Sequence, residues 1–121
     1  MAYARGQPFP EQRADKEERK MNASVAIQVL PKVATNDETV RIVDKVIDYI
    51  RSQHVHMEVD PFETVLEGDY DQLMEIVKNC QQICIDAGAP SVMTYVKINY
   101  APKGVMTMEY KTAKHRKADQ S

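Results

Sequence analysis

PFETVLEGDYDQLM, residues 61–74, changes its periodicity halfway along. Its first half alternates: Phe62, Thr64 and Leu66 fall on one face of a strand, and Glu63, Val65 and Glu67 on the other. Its second half opens a helix. Asp69 with Gln72 three residues on is a capping signal, and Leu73, Ile76, Val77, Cys80, Ile83 and Cys84 form one apolar stripe before Gly88, a C′ glycine. A strand with one apolar face that passes directly into an amphipathic helix lays that helix on a sheet. Glu63 and Glu67 then stand on the opposite face, where solvent, a ligand or a partner subunit would each explain them.

The flanking segments repeat the pattern. In NASVAIQVL, residues 22–30, Val25, Ile27 and Val29 alternate with small or polar residues, and Pro31 ends the strand. Thr35 followed by Glu38 fits a capping box, after which Val40, Val43, Val46, Ile47 and Ile50 recur at the helical period up to about Gln53. VHMEVD, residues 55–60, alternates again and is divided by Pro61 from the quoted strand, with which it forms a hairpin. SVMTYVKINY, residues 91–100, is β-branched and aromatic, with Val92, Thr94, Val96 and Ile98 on one face and Met93, Tyr95, Lys97 and Asn99 on the other. TMEYKTAKHRK reads as a short basic helix at the C-terminal end.

The order βαββαβ predicts an α+β, ferredoxin-like sandwich: a four-stranded antiparallel sheet with two helices on one face. In that plan the first and third strands are the central pair. The open face carries Ser24, Ala26 and Gln28, then His56 and Glu58, then Glu63, Val65 and Glu67, then Tyr95 and Lys97. With no third layer, this partly apolar face predicts a homo-oligomer, a dimer or a tetramer made of dimers.

The 121 residues suffice for one such domain. MAYARGQPFPEQRADKEERK has two prolines, many charges and almost nothing apolar, so residues 1–20 read as a disordered extension, vector-derived or from an alternative start. It lacks the apolar core of a signal peptide. The folded domain spans residues 21–112, and residues 113–121 form a basic tail. A net charge of −2, with basic residues spread along the chain apart from KTAKHRK, argues against a nucleic-acid partner. No apolar stretch approaches the roughly 20 residues that cross a bilayer. Cys80 and Cys84, four residues apart on one helix, suit reduced core thiols in a cytoplasm.

Catalytic and metal signatures are missing from the sequence. His54 and His56 would need a third ligand to hold a metal, and His115 sits in the basic tail. Ferredoxin-like acylphosphatases need an arginine and a glycine-rich anion loop after the first strand, and LPKVATND has neither. Two neighbouring glutamates without a cleft are a weak acid and base pair. The expectation is a protein with no catalytic residues, no metal and no resident cofactor.

The strings IQVLP, PFETVLEGDYDQLM, Gly88, TYVKI and GVMTMEYKT, in this order over most of residues 21–117, resemble the thiamine-binding protein family of small ferredoxin-like domains. ETVLEGDYDQLM is the most specific of them. Many members carry glycine where this chain has Glu63, and Asp-Arg where it has Asn99 and Tyr100. The resemblance implies a non-enzymatic, oligomeric domain that binds thiamine or its hydroxymethylpyrimidine part. Thiamine joins a flat aminopyrimidine to a cationic thiazolium, so its site needs hydrogen-bonding groups, a flat apolar surface and negative charge. Under that reading Glu67, and secondarily Glu63, supply the charge; Gln28, Ser24 and Thr64 read the pyrimidine; Tyr95 or Phe62 stacks on it. Lys97 completes the expected ligand-binding set on the same face and offers Glu67 an alternative, a salt bridge across the sheet or at an oligomer interface. Thr64 points towards the helices and has core packing as its alternative. A structural or regulatory homo-oligomer without a small ligand is the competing function.

Overall fold

Strand β1 (Ala23–Pro31) alternates as its sequence requires, with Val25, Ile27 and Val29 buried. The structure is a computed structural model that describes residues 21–119; the extension over residues 1–20 and the end of the basic tail lie outside the described residues. Helix α1 (Asn36–Ser52), β2 (His56–Val59), β3 (Thr64–Gly68), α2 (Tyr70–Asp86), β4 (Val92–Tyr100) and α3 (Met108–Asp119) follow. The sheet is antiparallel throughout, in the order β2-β3-β1-β4. This is the ferredoxin-like α+β fold, with β1 and β3 in the centre and α1 and α2 covering one face.

Side chains from both layers meet in one core, where Ile42, Val46 and Ile50 of α1 and Leu73, Ile76, Cys80 and Cys84 of α2 pack on Val25, Ile27 and Leu66. The apolar stripe of α1 runs through Ile42 rather than Val40, which is 58% exposed. Both caps form. The Glu38 N–H donates to Thr35 Oγ1 at 3.1 Å, and the Gln72 N–H donates to Asp69 Oδ2 at 3.1 Å. The reciprocal halves go elsewhere: Glu38 Oε1 accepts the N–H of Ala34, and Gln72 Nε2 donates to the carbonyl of Gln53, tying the start of α2 to the end of α1. At the other end of α2, Gly88 adopts φ 114° and the Ala89 N–H reaches back to the Cys84 carbonyl, which is a Schellman closure.

The alternation of the quoted stretch begins later than its sequence suggests. Phe62 lies before β3, in the loop joining it to β2, and is 81% exposed. His54, at φ 58°, ends the turn after α1 and is not part of β2, so it does not share a strand face with His56. Cys80 and Cys84 are buried free thiols. Burial pushes the Cys80 thiol up to about 12, with Cys84 adding repulsion, and burial raises Cys84 as well.

Candidate functional site

The sheet register brings the expected site residues into rows on the open face. Ser24 stands between Glu67 and Asn99, with His56 beyond Glu67. Ala26 stands between Val65 and Lys97, and Gln28 is opposite Tyr95. The register therefore unites Ser24, Glu67 and Lys97 in one neighbourhood. It places Thr64 beside Ile27, turned to the helices and 8% exposed.

Glu67 is 3% exposed although it sits on the face away from α1 and α2. Helix α3 covers it. After β4, the Val105 N–H bonds the Met21 carbonyl, and Thr107 caps α3 through its Oγ1 and the N–H of Tyr110. The Met108 N–H then donates to Glu67 Oε2 at 2.8 Å, and Glu67 Oε1 lies 3.7 Å from His56 Nε2. A carboxylate buried against a helix N-terminus meets free N–H groups and the positive end of the helix dipole. Glu63 instead lies 3.6 Å from Lys97 Nζ, near the other end of the face. Lys97 is thus paired with Glu63 rather than with Glu67, which is engaged by α3 and faces His56.

Two hollows flank these residues. The first, of about 210 Å³, opens between α1 and the sheet beneath the β2–β3 loop. Ile27, Val29, Val43, Val46, Ile47 and Ile50 supply its apolar walls, while Thr39, Thr64 and Asp60 add polar groups and Phe62 stands at its mouth. Gln28 and Glu63 also border it. The second, of about 250 Å³, lies on the open face beneath α3 and is bordered by Ser24, Glu63, Lys97, Asn99 and Lys111. The expected set is therefore divided: Thr64 and Gln28 belong to the first hollow, Ser24 and Lys97 to the second, Glu63 touches both, and Glu67 and Tyr95 line neither. Tyr95 is 57% exposed on the open face.

Sequence reading missed Asp60 and Lys111. Asp60 looked like the end of an alternating strand, but its N–H bonds the Glu63 carbonyl and turns the loop over the first hollow. The Pro61 beside it was the available signal. Lys111 reaches the sheet only because α3 folds back, which no local pattern announces. Among the described residues no group of three His, Cys, Asp or Glu is placed to hold a metal, and no helix is long and apolar enough to cross a membrane.

The same architecture is found in known proteins. A UPF0045 protein of Clostridium perfringens is 48% identical over 93 residues, covering 77% of this chain and 96% of the relative. A domain of unknown function from Bacillus cereus superimposes with a TM-score of 0.74 at 37% identity, over 82% of this chain and 94% of that one. A Thermotoga maritima protein whose name links it to thiamine biosynthesis or salvage has a TM-score of 0.70 at 28% identity, over 78% of this chain and 99% of that one. The family model of the thiamine-binding proteins matches residues 25–116, from β1 through β4 into α3, and so includes the first hollow and all of the second but Ser24. With its sequence and its fold in agreement, the chain belongs to the thiamine-binding protein family.

Proposed function

We propose that this chain is a non-enzymatic, cytoplasmic binding protein for thiamine or its hydroxymethylpyrimidine moiety, acting as a homo-oligomer, and that the pyrimidine enters the hollow between α1 and the sheet. The observation that carries this reading is the chemistry of the two hollows. The first has branched aliphatic walls, Asp60 at its rim, an exposed Phe62 at its mouth and no lysine among its lining residues. The second has Lys97 and Lys111 with Glu63 to offset one of them, and its surplus positive charge would repel a thiazolium cation. Drug-sized ligands occupy pockets of roughly 300–1,000 Å³. A hollow of about 210 Å³ therefore suits one ring, leaving the second ring of thiamine at the rim near Asp60. Thr64 offers a hydroxyl to a ring nitrogen, Thr39, whose hydroxyl donates to the Thr35 carbonyl, can accept from the amine, and Phe62 offers a flat face for stacking.

Membership of the family supports the thiamine-related chemistry. The exposed Met93 and Tyr95 on the open face support self-association, since apolar side chains of that size gain by being covered. Calorimetric titration with thiamine and with hydroxymethylpyrimidine tests the proposal. Saturable heats for both, with no turnover of either compound, are expected. Heats indistinguishable from dilution for both would leave the structural oligomer as the better reading.

A further inference from the structure

The hollow beneath α3 has the donors of an anion site. Ser24 is nine-tenths buried, and its Oγ has no hydrogen-bond partner among the described residues. Its place in β1, opposite to Val25, turns it to the open face, where it stands beside Asn99 while Lys97 occupies the next row. Lys111 of α3 closes the hollow from above, and Ala26 and Val65 form an apolar floor. A buried hydroxyl with its hydrogen bonds unmade selects for a group that completes them.

We propose that this hollow binds a tetrahedral oxyanion, either inorganic phosphate or the phosphate of a small monoester. Ser24 Oγ and the Asn99 side-chain amide donate to its oxygens, and the Lys97 and Lys111 ammonium groups supply the charge. The neighbouring acids decide the balance. Glu63 borders the hollow and offsets Lys97 at 3.6 Å, so Lys111 carries the surplus positive charge. Glu67 lies in the row of Ser24, but its oxygens are directed to the Met108 N–H and to His56. Glu58 stands on the outer strand β2, with Val65 and Ala26 between it and Lys97. Charge-assisted hydrogen bonds from ammonium groups to phosphate are stronger than neutral ones, which favours phosphate over a neutral ligand of the same size.

The site is independent of the pyrimidine reading, because it lies on the opposite face of the sheet. Inorganic phosphate is titrated into the full chain at constant ionic strength, with chloride as the reference anion, while NMR signals of Ser24, Lys97, Asn99 and Lys111 are followed. A saturable shift at these four residues is expected, with affinity lowered about tenfold in Lys111→Ala. Ser24→Ala is expected to raise the thermal midpoint in phosphate-free buffer, by removing the orphaned hydroxyl, and to reduce the further rise that phosphate causes. Glycerol phosphate in place of phosphate distinguishes the source: tighter binding assigns the site to a monoester, and weaker binding to the free ion. Signals that chloride moves equally, or a phosphate affinity unchanged in Lys111→Ala, would overturn the proposal.

Discussion

The Glu67 carboxylate on β3 accepts the N–H of Met108, the first residue of α3, at 2.8 Å. These residues are 41 positions apart in the chain, and the bond is buried. It joins the sheet to a helix whose other side chains are mostly polar. Docking of α3 therefore leans on one charged hydrogen bond more than on packed area.

Glu67→Gln keeps the shape and removes the charge. Buried hydrogen bonds to charged groups contribute about 1.5–3 kcal/mol, and an anion at a helix N-terminus adds about 0.3–1 kcal/mol. The expected result is faster hydrogen exchange across residues 108–115, with β1 and β3 amides still protected. Unchanged exchange in α3 would show that the helix docks by other means.

The first hollow gives paired predictions for binding. Phe62→Ala removes the exposed ring at the mouth and should weaken thiamine and hydroxymethylpyrimidine together. Asp60→Asn should weaken thiamine by about tenfold and the neutral pyrimidine less, because only the thiazolium carries the cation. Titration of both variants with both ligands reads the difference. Equal losses for Asp60→Asn would place the carboxylate against the pyrimidine rather than the cation.

Met93 is 44% exposed on the open face, two positions from Tyr95. Met93→Lys should shift the oligomer towards smaller species, since it places an unpaired charge in a desolvated contact. Sedimentation velocity at tens of micromolar checks this. A distribution identical to the native protein would move the interface off this part of the sheet.

The buried thiols predict a loss of stability at high pH. Cys80 is raised to about 12 from 9.0, and Cys84 is raised too, so the unfolded chain loses these protons first as pH increases. The stabilisation is complete below about 9 and declines as pH climbs towards 12, by up to about 1.4 kcal/mol per pH unit for Cys80. Denaturant titrations at about pH 8 and pH 10 should show the decline. Cys80→Ala should flatten it, and an unchanged slope would assign it to other groups.

What could be read from the sequence was local. Thr35 with Glu38 and Asp69 with Gln72 marked both helix starts correctly, because an N-cap is a contact over three residues. Alternation placed Ser24, Val65 and Lys97 on the open face because a strand has only two faces. Phe62 escaped because alternation does not reveal where a strand begins. The burial of Glu67 escaped because α3 creates it, through a chain reversal after Pro102. The division of the site residues between two hollows escaped for a related reason: the loop over residues 60–63 folds over one hollow and α3 over the other, and neither contact is local in sequence.

The most direct test is NMR mapping of hydroxymethylpyrimidine on the full chain. Binding in the hollow between α1 and the sheet predicts saturable shifts at Thr39, Val43, Phe62 and Thr64, with Ser24, Asn99 and Lys111 unmoved. Shifts confined to Ser24, Asn99 and Lys111 would contradict it, by placing the pyrimidine on the opposite face beneath α3.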